Sequence, residues 1–96
     1  MLTMTKALEI TIASVRRVRF QDALDNDSTL QDYGLYNDEE LDLLRHDVRE
    51  LVKQSGHWIA LSRLRILNEN STIFDVARTI SSFSLPGDET FEEPPG

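Results

Sequence analysis

The stretch NDEELDLLRHDVRELVKQSG, residues 37–56, decides the fold because it contains every signal of a long amphipathic helix. Asn37 is a favourable N-cap residue, and Glu40 follows it at the spacing of a capping box. Acidic residues fill the first turn and Lys53 lies near the end, as the helix dipole favours. Apolar side chains recur at steps of three and four and predict one buried face: Leu41, Leu44, Val48, Leu51 and Val52. Gly56 then ends the helix.

Further helices are predicted on both sides of this one. Upstream, residues 3–20 are predicted to form a helix that carries Leu8, Ile12, Val15 and Arg19 on one face, with Ala7, Ile10 and Val18 beside it. Downstream, the apolar segment 58–67 predicts one or two helical turns that cross the bundle. Ser71 or Thr72 then caps a last helix, whose predicted core face is Ile73, Val76, Ala77, Ile80 and Phe83.

A long connection, residues 21–36, separates the first two long helices. Its many polar residues are typical of a loop. Four apolar residues are spaced as anchors that would pin it to the core: Leu24, Leu30, Tyr33 and Leu35. A connection of this length inside a compact domain usually has a function or contains short turns of its own.

The chain of 96 residues has room for one domain, which we assign to residues 1–84. Residues 85–96 are rich in proline and acidic residues and are predicted to form a disordered acidic tail. The absence of cysteine excludes disulfides and thiolate chemistry. No apolar stretch is long enough for a membrane span. Together these features predict a cytoplasmic protein.

Much of the acidic charge is concentrated in one part of the sequence. The net charge is −7, and between residues 22 and 42 there are eight acidic residues and no lysine or arginine. Such a stretch repels phosphate backbones, which argues against nucleic-acid binding through it. It favours a protein partner with a basic docking patch. The alternative is a solvated acidic surface that only keeps the protein soluble.

Two segments resemble sequence motifs of the acyl carrier protein family. The long loop of that family ends in a segment of the type Ser/Thr-x-Leu-x-x-Leu-Gly-x-Asp-Ser-Leu, and residues 28–41 read STLQDYGLYNDEEL. Leu30 and Gly34 fall on the family's leucine and glycine, and Tyr33 replaces its second leucine. Residues 71–76, STIFDV, resemble the Thr-Val-x-Asp start of the family's fourth helix. The resemblance implies an all-α, acyl-carrier-protein-like four-helix bundle with a long loop between helices 1 and 2.

The chain departs from this family at the attachment site. The family's serine, which opens helix two and bears 4′-phosphopantetheine, is matched here by Asn37. An amide lacks the hydroxyl oxygen that attacks the phosphate of the coenzyme. The resemblance therefore implies that no cofactor is bound at this position. Asn37 can still cap the helix, because asparagine and serine are nearly equivalent N-caps.

The resemblance also implies a docking surface. In the family, the acidic start of helix two binds basic patches of partner enzymes, such as those of fatty-acid, polyketide or peptide synthesis. The matching residues here are Asp38, Glu39, Asp42 and Asp47. We therefore expect a carrier-like protein that acts by protein–protein contact and not as an enzyme. Two alternatives stay open: a functional carrier modified at another residue, such as Ser28, and an unrelated small helical adaptor.

Other site patterns are weaker. Asp42, His46 and Glu50 lie on one helix face, but ligands on successive turns are too far apart for one metal ion, and a solvated face is the simpler interpretation. Residues 25–29 resemble the start of a calcium loop, yet Leu30 takes the place of its required glycine and Tyr36 that of its bidentate acid. No nucleophile elbow, phosphate loop or dinucleotide fingerprint occurs. We expect neither a metal site nor catalysis.

Overall fold

The computed structural model describes residues 2–19 and 27–86. Four α-helices make up most of this part of the chain: α1 Met4–Arg19, α2 Asp38–Gln54, α3 Leu61–Leu64 and α4 Ile73–Phe83. A 3₁₀ helix covers Leu30–Tyr33, and two short strands, β1 His57–Trp58 and β2 Leu85–Pro86, pair antiparallel. Among the described helices, none is both long and apolar enough to cross a bilayer. The protein is mostly helical, as predicted, with a small sheet that the sequence did not indicate.

The two strands account for the main differences from the predicted elements. Trp58, expected in a helical segment, lies in β1 opposite Leu85. Leu85 and Pro86 form β2, so the folded part extends into the segment predicted as tail. The remaining predicted tail, residues 87–96, and the predicted anchor Leu24 lie outside the described residues.

The three long helices enclose one apolar core, with α3 packed against α2 and α4. Its buried residues include most of those predicted on α2 and α4: Leu41, Leu44, Val48, Val52, Ile73, Val76, Ala77 and Ile80. Phe83 is an exception to the predicted core face of α4. The residue is 37% exposed, and the guanidinium of Arg63 in α3 lies 4.7 Å from the centre of its ring.

The core face of α1 matches the prediction in part, because Val15 of the predicted stripe and its predicted neighbours Ala7 and Ile10 are buried. Leu8 and Ile12 are only half-buried, whereas Ala7, Thr11 and Ser14 are fully buried. These three residues lie at helical spacing on one face, and their small side chains let α1 approach its neighbours closely. The hydroxyl of Thr11 donates a hydrogen bond to the Ala7 carbonyl oxygen (2.8 Å). Hydrophobicity alone could not identify this face, because it includes two polar residues.

Apolar anchors hold the long connection to the core, as predicted. Leu30, Tyr33 and Leu35 are all buried, and the connection contains a short turn of its own, the 3₁₀ helix. A capping box starts this helix. The Thr29 hydroxyl accepts a hydrogen bond from the Asp32 amide (3.3 Å), and the Asp32 carboxylate accepts one from the Thr29 amide (2.9 Å).

The start of α4 has the same arrangement. Of the two predicted caps, Thr72 and not Ser71 takes the N-cap position. Thr72 and Asp75 form a second capping box, with both hydrogen bonds at 3.0 Å. We call the two segments together, residues 28–32 and 71–75, the double cap.

The two halves of the double cap are hydrogen-bonded to each other. The Leu30 amide donates to the Ser71 carbonyl oxygen (2.9 Å), and the Ile73 amide donates to the Ser28 carbonyl oxygen (3.1 Å). These bonds fix the end of the long connection onto the start of α4.

Two glycines with left-handed backbone conformations differ in what surrounds them. Gly34 follows the 3₁₀ helix with a φ of 82°, and Gly56 follows α2 with a φ of 77°. A Cβ atom added at Gly34 would lie 2.9 Å from Nη2 of Arg19, whereas one added at Gly56 would have nothing within 4 Å. Only Gly34 is therefore constrained by a neighbour as well as by its backbone conformation.

We expect Gly34→Ala to lower the free energy of unfolding by about 2 kcal/mol and Gly56→Ala by about 1 kcal/mol. Both variants place alanine in the left-handed region, but only the first displaces the Arg19 guanidinium. Urea unfolding of the two variants measures the difference. Equal losses would contradict a role for the close contact between Gly34 and Arg19.

Candidate functional site

Asn37 caps α2, as predicted. Its side-chain oxygen accepts a hydrogen bond from the Glu40 amide (2.9 Å), and its side-chain nitrogen donates to Oε1 of Glu40 (2.8 Å). The Glu40 carboxylate thus bonds to the side chain of Asn37, where in a capping box it would bond to the backbone amide. Both polar atoms of the Asn37 side chain hold the start of the helix.

Arg19, at the end of α1, holds the entry to α2 in place. Its Nε donates to the Tyr33 carbonyl oxygen (3.1 Å), and its Nη1 lies 3.0 Å from Oε2 of Glu40. The same guanidinium lies against Gly34. One side chain therefore joins α1 to both the 3₁₀ helix and the first turn of α2.

Asp47 is too buried to belong to the predicted docking surface. Its side chain is only 16% exposed, and its Oδ1 lies 3.2 Å from Nη2 of Arg17 in α1. Asp47 lies two helical turns after Glu40, so both acids are on the side of α2 that faces α1. The sequence indicated exposure because Asp47 is off the apolar stripe, but it did not show that α1 covers this flank with arginines.

The other three predicted docking residues, Asp38, Glu39 and Asp42, are exposed at the start of α2. We call these three residues the acidic surface. The acids of the first three turns of α2 thus form two groups. Glu40 and Asp47 pair with arginines of α1, whereas the acidic surface is directed to solvent. A charged partner can reach only the second group freely.

Within the acidic surface, Asp42 also supports an internal contact. Its Oδ1 lies 2.7 Å from Nη1 of Arg45, although the Asp42 side chain stays 59% exposed. The Arg45 side chain is 12% exposed and donates to the carbonyl oxygens of Leu64 (3.2 Å), at the end of α3, and of Leu67 (2.5 Å), just after it. We call this set of contacts the Arg45 clamp. Sequence reasoning missed it because two of its acceptors are backbone atoms.

Leu43 is an exposed leucine next to the acidic surface, and 61% of the residue is accessible to solvent. Its neighbours at three and four residues along the helix are Glu39, Glu40, His46 and Asp47. Sequence reasoning did not single out Leu43. The signal was present, since the residue is apolar but lies off the predicted buried face of α2.

The remaining candidates from the sequence are not brought together into a site. His46 and Glu50 are exposed along α2, and among residues 2–19 and 27–86 no three metal-ligating side chains lie close enough to hold an ion. Ser28, the alternative attachment residue, is half-buried in the double cap and does not start an α-helix.

The interior between α2, α3 and α4 has little empty space beside Leu44. It contains a cavity of about 10 Å³, which is at the lower limit for one water molecule. The wall of this cavity is apolar apart from Arg45, and its residues are Leu30, Leu41, Leu44, Val48, Leu64, Leu67 and Val76. The protein's own side chains therefore fill this part of the interior.

Comparisons with known proteins give no assignment. No protein-family model, curated protein or solved structure matches the chain.

Proposed function

We propose that the chain is an acyl-carrier-like protein that binds a basic protein surface through the start of α2 and carries no phosphopantetheine. In this role it is not an enzyme and needs no cofactor. Its partner is a protein with a basic docking patch, such as an enzyme of fatty-acid, polyketide or peptide synthesis. A cytoplasmic location fits the absence of cysteine.

The order of elements supports the carrier-like part of the proposal. The chain contains a long helix, a long connection, a second long helix, a short helix and a final helix, as the family resemblance implies. Asn37 opens α2 at the position of the family's serine, and its side-chain oxygen accepts the hydrogen bond that an N-cap serine would accept. An asparagine in this place keeps the helix start and offers no hydroxyl for attachment.

The arrangement of acids on α2 is the observation that carries the proposal. Glu40 and Asp47 are compensated by arginines of α1. Asp38 and Glu39 are exposed in the first turn of the helix. Carboxylates in this position attract a basic surface over a distance and favour one orientation of the encounter. The acids that are not needed to hold α1 are therefore available to a partner.

Charge reversal at Glu39 tests this docking role. We expect Glu39→Lys to weaken binding to a synthetic basic helical peptide, with lysines on one face and glutamines on the other, by about threefold to tenfold. Fluorescence anisotropy of the labelled peptide measures the affinity. The difference should largely disappear at about 1 M salt, where exposed charges are screened.

Glu9→Lys provides the matched control, because it changes the net charge by the same amount at an exposed position of α1. It should bind the basic peptide more tightly than Glu39→Lys does. Asp42 is a poor choice for reversal, since its carboxylate is part of the Arg45 clamp. Equal affinities of the Glu9 and Glu39 variants would show that only net charge matters, and the proposal would then fail.

A further inference from the structure

The exposed apolar residues of the protein differ in their surroundings. Two of them lie under arginines: Phe74 has the Arg78 guanidinium 4.9 Å from its ring centre, and Phe83 has that of Arg63 at 4.7 Å. Ile66, with an exposure of 64%, follows Arg65 in the turn after α3. Tyr36, with an exposure of 64%, lies just before α2. Leu43 is the exposed apolar residue within α2 itself, and its exposed acidic neighbours are Glu39 and Glu50.

Leu43 has the position of an interface anchor. Glu39 lies one turn before it and Glu50 two turns after it, and both are exposed. Interfaces commonly combine an apolar side chain that becomes buried with polar residues that surround it. Because Leu43 is 61% exposed, a bound partner would bury additional apolar area on it. The acidic residues near Leu43 favour a partner whose surface is positively charged.

Charge complementarity identifies the kind of occupant. A second copy of the chain, docked with the same face, would bring like charges together, and an anionic membrane would be repelled for the same reason. We infer that Leu43 is the apolar anchor of the docking surface and that the partner presents an apolar socket bordered by lysines or arginines, as on a cationic amphipathic helix. This inference rests on the proposed function and specifies its partner.

Two peptides of equal charge separate the apolar contribution from the electrostatic one. The glutamine peptide is the basic helical peptide described above, with lysines on one face and glutamines on the other. The leucine peptide has the same lysines, and leucines replace its glutamines. We expect the wild-type protein to bind the leucine peptide about tenfold more tightly than the glutamine peptide. In Leu43→Ala this preference should fall to about twofold or less.

Ile66→Ala is the matched control, since Ile66 is as exposed as Leu43 but belongs to the turn after α3 and not to α2. It should keep the wild-type preference for the leucine peptide. A loss of preference in both variants, or equal binding of both peptides to the wild type, would overturn the role of Leu43. Circular dichroism of each variant establishes that the fold is unchanged.

The outcomes for the inference and for the proposed function are distinct. Equal binding of both peptides, together with weakening by Glu39→Lys, rejects the anchor and leaves electrostatic docking intact. Binding of neither peptide by the wild type rejects the docking role itself. Sedimentation equilibrium tests the remaining occupant: a dimer that Leu43→Ala dissociates would show that a second copy covers this face, and would overturn the inference.

Discussion

Replacing Arg45 with alanine is expected to lower the free energy of unfolding by about 3 kcal/mol. Arg45 is largely buried and is the donor to two backbone carbonyl oxygens, those of Leu64 and Leu67. Without it, both carbonyls lose a charged donor at a place where the neighbouring side chains are buried. The variant also removes one wall of the small cavity beside Leu44. Urea unfolding followed by circular dichroism measures the loss.

Two further variants identify which part of the Arg45 clamp matters. Asp42→Asn removes only the ion pair, and we expect a loss of about 0.5 kcal/mol or less because that carboxylate is mostly exposed. Arg45→Lys keeps the positive charge but cannot reach two separated carbonyl oxygens with one ammonium group. Arg45→Lys should therefore recover less than half of the free energy of unfolding that is lost in Arg45→Ala. Full recovery by lysine would show that the charge, and not the forked geometry, stabilises α3.

Leu30→Ala is expected to have an effect of similar size, about 3 kcal/mol on the free energy of unfolding. Leu30 has no exposed area and lies in the wall of the same cavity. Truncation removes its buried methyl groups and enlarges a space that the surrounding helices cannot fill, because the double cap holds the backbone of Leu30 in place. The 3₁₀ helix should then be less firmly attached to the core.

Gln31→Ala and Leu30→Met are the controls for this variant. Gln31 is the exposed neighbour of Leu30, and its truncation should change the free energy of unfolding by about 0.5 kcal/mol or less. Methionine has nearly the volume of leucine, so the loss should stay below about 1.5 kcal/mol. A loss in Leu30→Ala no larger than that in Gln31→Ala would contradict the anchoring role of Leu30.

Local signals were sufficient to predict α2. The cap at Asn37, the acidic first turn and the apolar stripe all lie within the helix itself, and the structure confirms the helix and its cap. The anchors Leu30, Tyr33 and Leu35 could also be predicted, since a long connection must bury its apolar residues somewhere. For these residues, the local sequence was enough to predict which side chain caps the helix and which side chains are buried.

Other features depend on partners that are distant in the sequence. The strands β1 and β2 have two residues each, which is too short for an alternating pattern. Each strand forms only by pairing with the other. Asp47 resembles its exposed acidic neighbours in the sequence and differs from them only through Arg17 of α1. The buried face of α1 contains Thr11 and Ser14, which a search for an apolar stripe does not include. None of these contacts could be read from one segment alone.

The double cap makes the N-terminal ends of two helical elements depend on each other. Each half donates a backbone hydrogen bond to the other, through the amides of Leu30 and Ile73. Fraying of either end would therefore break bonds that the other end also needs, so local opening becomes a cooperative event. These bonds close the chain between the halves, which includes α2 and α3, into a loop. The conformational entropy cost of closing that loop arises once, when the two halves meet. Separation of the long connection from the start of α4 must therefore begin with the loss of these two hydrogen bonds.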